Sequence, residues 1–147
     1  MNTQIFNSLF TIVNFLNDPK RDANLLREAG IKEDKNLLPI IVRVGARGTI
    51  SVGELANQLG KNHSSTSRQI DKFVKDGILS STQNNVDKRI RSVSLTEDGQ
   101  KIYDMITITR ERVMDELFIQ LTEQELAQIA ESLKKVSDIL TDSFEKK

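Results

Sequence analysis

The chain has 147 residues, with 21 Lys plus Arg balanced by 21 Asp plus Glu, one His, and neither Cys nor Trp. At 37% apolar and 29% charged with two prolines, it fits one folded, mainly helical domain or two small ones rather than a disordered tail. The absence of cysteine excludes disulfides, thiolate metal sites and thiol switches, and a single histidine leaves little for zinc, so neither a metal nor a cofactor is expected.

Near the start, Phe6, Leu9, Val13 and Leu16 recur at helical spacing, with Ile5, Phe10 and Ile12 widening the stripe, until Asn17-Asp18-Pro19 breaks or kinks it. No apolar run reaches the roughly 18 to 20 residues of a membrane span. The first basic residue, Lys20, follows the apolar stretch instead of preceding it, so no secretion signal is read and a cytoplasmic protein without a membrane partner is expected. Pro39 interrupts the apolar run Leu37 to Val42. Arg43 and Arg47 with Gly45 and Gly48 predict a flexible, basic end to the helix that precedes the more closely punctuated centre.

The centre of the chain is more closely punctuated. Ser51-x-x-Glu54 reads as a capping box, and Val52, Leu55, Ala56 and Leu59 share one helix face before Gly60 supplies a left-handed stop. A second helix starts near His63, with Thr66, Ile70 and Phe73 inward and Gly77 at its end. Two short helices around a tight glycine-bearing turn describe a helix-turn-helix. The outward residues of the second helix, His63, Ser64, Ser65, Ser67 and Arg68, suit base edges in a major groove, while Lys72 and Lys75 suit phosphates. A strand beginning at Ile78-Leu79-Ser80, a turn at Gln83-Asn84-Asn85 and a returning strand through Val93 and Leu95 then predict a β-hairpin wing. Asp87, Lys88, Arg89 and Arg91 lie at or beside its tip, where an arginine can enter a narrow minor groove and Asp87 can orient Arg89.

Thr96 caps a helix to about Phe118, with Ile102, Ile106, Val113 and Leu117 on its apolar side. Thr122-x-x-Glu125 is a capping box, followed by a heptad-like seam of Leu126, Ile129, Leu133, Val136 and Leu140. Packing inside one chain is the default use of any single apolar stripe. Three long ones at the ends of so short a chain predict an interface with a second copy.

The neutral charge balance divides along the chain. Residues 1–42 sum to zero, Arg43 to Arg91 carry +5, and residues 92–147 carry −5. The basic segment coincides with the helix-turn-helix and wing, as expected of a double-stranded DNA partner.

From about Leu37 to Ile106 the chain resembles the MarR family of bacterial transcription regulators. The stretches that carry the resemblance are Ser51 to Gly60, Ser64 to Asp71, Asp76 to Leu79 and, most specifically, Asp87-Lys-Arg-Ile-Arg-Ser-Val-Ser-Leu-Thr-Glu-Asp-Gly99. The resemblance implies a mainly α fold with a small β-hairpin wing, made of N-terminal dimerisation helices (1–33), a winged helix-turn-helix (34–98) and C-terminal dimerisation helices (99–147). It further implies a homodimer that reads a pseudo-palindromic operator, with His63 to Arg68 in the major groove and Arg89, oriented by Asp87, in the minor groove. Such proteins usually repress, and many release DNA when a small effector settles between the dimerisation helices and the winged domain. Lack of cysteine excludes the peroxide-sensing branch.

Two other classes compete with that reading. An enzyme would have to be built around His63, the only imidazole, and no glycine elbow or oxyanion loop accompanies Ser64 and Ser65. Gly53 to Lys61 fails as a phosphate loop, because six residues separate its glycines and Asn62 stands at the Ser/Thr position. A winged-helix module used only for protein contacts remains the alternative, and the basic middle segment argues for DNA over it.

Overall fold

The computed structural model describes residues 1–146. Its contacts divide the chain into two compact units, Met1–Arg110 and Glu111–Lys147.

The first unit opens with α1 (Asn2–Leu16) and α2 (Pro19–Glu28). The break between them is a full helix start: Asp18 accepts a hydrogen bond from the Lys20 amide and Pro19 occupies the first helical position, where a missing N–H costs nothing. Arg21 lies over the Phe15 ring, 3.2 Å from its centroid. The polar stretch after Pro19 is thus a regular helix whose one buried face carries Leu26. Pro39 sits in the first turn of α3 (Leu37–Arg47), which buries Leu37, Leu38, Ile40, Ile41 and Val44.

The expected flexible end of α3 takes a different form. Gly45 is a packing residue: a Cβ there would run into the Tyr103 ring, so the glycine admits the aromatic against the helix backbone. Gly48 ends the helix at φ +79°, and Arg47 is held by an ion pair to Glu54 at 2.9 Å. The same ion pair alters the capping box at Ser51. The serine accepts from the Glu54 amide at 3.1 Å, but the Glu54 carboxylate turns to Arg47 rather than back to the cap.

The helix-turn-helix is α4 (Val52–Leu59) and α5 (His63–Lys75), joined across Gly60 at φ +64°. Val52, Leu55 and Ala56 are buried on α4, and Thr66, Ile70 and Phe73 on α5, as their spacing predicts. The wing consists of β2 (Leu79–Gln83) and β3 (Arg91–Leu95), paired antiparallel from Leu79↔Leu95 to Gln83↔Arg91. It belongs to a three-stranded sheet and not to an isolated hairpin, because β1 (Thr49–Ser51) pairs with the other edge of β3 through Ile50↔Val93. Both of those residues are buried, so the third strand ties the base of the wing into the core.

Thr96 closes the unit. Its hydroxyl accepts from the Gly99 amide at 3.0 Å and caps α6 (Glu97–Leu117), while it donates to the carbonyls of Gly77 and Ile78. The core joins α3, α4, α5 and the sheet with Leu26 of α2 and Ile106 of α6, so its packing extends past residues 34–98 on both sides.

In the second unit, the capping box at Thr122 is complete in both directions and starts α7 (Glu123–Glu145). Leu126, Ile129, Leu133 and Leu140 lie along it between 36% and 48% exposed, and α7 contains no buried residue. α1 likewise buries none of its residues.

Candidate nucleic-acid interface

The first turn of α5 is fixed by Asn62, whose side chain accepts from the Ser65 amide at 2.7 Å and whose carbonyl accepts from the Thr66 hydroxyl at 3.0 Å. With Thr66, Ile70 and Phe73 buried, helical geometry turns His63, Ser64 and Arg68 to solvent; Ser65 and Ser67 are half-buried beside them. The helix thereby presents an open N-terminal turn, small hydroxyls and one guanidinium, groups that reach base edges and phosphates.

The wing tip is built from two side chains. Asn84 accepts from the amides of Val86 and Asp87 at 2.8 and 3.1 Å, closing the turn. Asp87 accepts from the Arg89 amide at 3.0 Å and from the Arg89 guanidinium at 3.1 and 3.2 Å, which is the expected orienting contact. These bonds from Arg89 hold the Asp87 carboxyl below the usual carboxylate range. The Arg89 side chain remains 91% exposed, so it is aimed without being buried.

Pairing inside the chain sorts the basic residues. Arg47 is bound by Glu54, and Lys72 by Asp34, which lies in the loop before α3. Burial alone would raise the Asp34 carboxyl, but hydrogen bonds from Lys72 and the Asn36 amide, with the Lys72 charge, hold it below its usual value; the same bond raises Lys72. Arg91, expected at or beside the tip, turns toward α5. It pairs with Asp71 at 2.7 Å and donates to the hydroxyls of Ser67 and Ser81 at 3.3 and 3.2 Å. Among the described residues, the cations left exposed without an ion pair in this segment are Lys61, Arg68, Lys75 and Lys88. They sit in the turn before α5, on α5, at its end and on the wing.

Residues 37–90 match the family model described as MarR family, spanning the helix-turn-helix and most of the wing. Over that segment the chain is similar to the MarR family. Its relatives include the HTH-type transcriptional repressor MdtR of Bacillus subtilis, 24% identical over 98 residues, which make up 67% of this chain and 63% of that protein. The alignment therefore spans less than two thirds of this relative's length. A MarR family protein from Bacillus stearothermophilus superposes with a TM-score of 0.77 at 18% identity, covering 96% of this chain and 99% of that one. Streptococcus pneumoniae FabT, solved in complex with DNA, superposes at 0.70 with 17% identity over 97% and 99% of the two chains. At those identities the superpositions establish the winged-helix fold.

Within this winged-helix fold, three features were missed from residue types. Lys61 lies in a turn with no periodicity to mark it. Asp34 is 38 positions from Lys72. Asp71 carried one usable signal: at four residues after Ser67 it shares a helix face with it, which a single basic partner could span.

Proposed function

We propose that the chain is a sequence-specific DNA-binding transcription regulator, a repressor that acts in the cytoplasm as a homodimer on a pseudo-palindromic operator. The observation that carries this reading is the alignment of unpaired cations with the two elements of a winged helix that can enter grooves. Arg68 and Lys75 project from α5, and Lys88 stands beside an Arg89 that Asp87 holds outward. His63, Ser64, Ser65 and Ser67 surround the reading end of α5, where Arg68 can fork onto guanine. Lys61 and Lys75 suit phosphates, which fix register without specifying sequence. The exposed apolar faces of α1 and α7 support a second copy as the partner that covers them. Repression and release by a small effector enter this reading from the family; the cavity between Pro39, Ile40, Leu59 and Thr66 measures only about 10 Å³, room for one water.

Capture of genomic fragments by the purified full-length chain, followed by sequencing, tests the proposal. The expected fragments share a pseudo-palindrome with half-sites about 10 base pairs apart, the spacing set by one helical turn of DNA. Fragments without a common motif, or none retained at low salt, would contradict it. Arg68→Ala is expected to cost about 1 to 3 kcal/mol and to relax preference at a single base position in a binding titration. Equal loss on every sequence would make Arg68 a phosphate contact instead.

A further inference from the structure

We propose that Arg91 is a positioning residue that locks the wing to the recognition helix, and that Asp71, although acidic and near the DNA-binding face, strengthens DNA binding by holding it. This inference rests on the DNA-binding reading above for its functional consequence, and on geometry alone for the lock.

Strand alternation explains the placement. Arg91, Val93 and Leu95 share one face of β3, and Val93 is buried while Leu95 is half-buried. Arg91 extends that inward row by one step past the core, so its side chain must find polar partners on the helix packed there. Ser67 and Asp71, four residues apart on α5, supply an acceptor and a carboxylate on one helix face. Ser81 on β2, diagonal to Arg91 in the register that pairs Gln83 with Arg91, supplies the third oxygen. One planar guanidinium projecting from β3 thus bonds to both α5 and β2, with only 22% of its side chain exposed. Beyond it the wing has only the seven residues 84–90, whose own bonds join Asn84, Asp87, Arg89 and Ile90 to one another. Among the described residues, Arg91 is therefore the outermost polar link between the wing and α5.

The charge arithmetic separates this role from phosphate binding. Arg91 and Asp71 cancel, so the pair adds nothing to the attraction of DNA, and deleting both charges leaves the net charge unchanged. As a lock, the pair lowers the cost of presenting both elements at once, because the wing does not have to be ordered on binding.

The test is a set of full-length variants, Arg91→Gln, Arg91→Lys, Asp71→Asn and the double Arg91→Gln/Asp71→Asn, titrated against a captured duplex at several salt concentrations. All four are expected to lose about tenfold in affinity, with the double no worse than the singles, as two residues acting through one contact behave. The slope of log affinity against log salt is expected to stay at the wild-type value. Three results would overturn the lock: tighter binding by Asp71→Asn, full affinity in Arg91→Lys, or a slope that falls by about 0.9 in Arg91→Gln, the loss of one phosphate contact.

Amide hydrogen exchange without DNA gives the independent arm. Arg91→Gln should speed exchange at the wing-end pairs of β2 and β3 while leaving the α4 and α7 amides at wild-type rates, and unchanged wing exchange would also overturn the lock. If the wild type binds no DNA and the wing still loosens in Arg91→Gln, the lock stands and the DNA-binding reading fails. If DNA binds and the wing does not loosen, the reverse holds.

Discussion

The winged unit and the terminal helices carry the same kind of apolar periodicity and meet opposite fates. In the winged unit the inward residues of α3, α4 and α5 are buried to within a few per cent, and Phe73, Ile70, Leu55 and Ile41 form one cluster. On α1 and α7 the residues at equivalent spacing stay exposed: Phe6 is 65% exposed and Leu133 46%. The difference teaches that an amphipathic stripe states that a face will be covered but not by what. Helix length and glycine breaks divide the two cases. Short helices broken by glycine fold back on each other within the chain, whereas two long helices at opposite ends present their stripes outward, where a second copy can cover them.

Removing residues 122–147 should break that comparison most completely. The account expects a monomer or an unfolded chain, read by light scattering and circular dichroism, since α7 supplies the longest of the uncovered seams. A stable dimer after truncation would contradict the role given to it. Phe73→Ala should cost about 3 to 5 kcal/mol in denaturant titrations at any protein concentration, because the ring leaves a cavity in a closed core. Leu133→Ala should instead give a loss that depends on protein concentration, the mark of a residue covered by another copy. Equal, concentration-independent losses from both would erase the distinction between the regions.

Gly45→Ala should cost about 1 to 3 kcal/mol, since the added methyl overlaps the Tyr103 ring. Pairing it with Tyr103→Ala should restore part of the loss, and a neutral Gly45→Ala would return that glycine to the role of a flexible joint. The smallest effect concerns pH. Asp34 and Asp87 titrate below their ordinary values in the folded chain, so their contributions are complete above an unfolded pKa near 4 and fade as the pH falls through the lowered folded values. The stability gap between wild type and Asp34→Asn should therefore be visible at pH 7 and close below about pH 4. A gap that persists in acid would mean that the ion pair with Lys72 is not its source.

Much of the winged unit was legible because its signals are local. Gly60, the inward trio Thr66, Ile70 and Phe73, and the cap at Thr96 each declare themselves within four residues, as does the cap at Thr122 in the second unit. The strand Thr49–Ser51 was not legible, since three residues carry no period and its partner lies over 40 positions away. Gly45 reads as flexibility in a sequence and as close packing only once Tyr103 is beside it. The basic residues show the same limit most clearly. Arg89 could be read with Asp87 because two positions separate them, whereas Lys72 and Arg91 looked like free cations until folding brought Asp34 and Asp71 to them.

The central claim is that the unpaired cations of α5 and the wing bind DNA and read its sequence. The most direct measurement is the affinity of the full-length chain for a captured duplex and for a scrambled duplex of equal length, each followed by anisotropy across a range of salt. The account predicts that both affinities fall with salt and that the captured duplex binds at least about a thousandfold more tightly near physiological salt. Coincident lines for the two duplexes, or an affinity indifferent to salt, would contradict it.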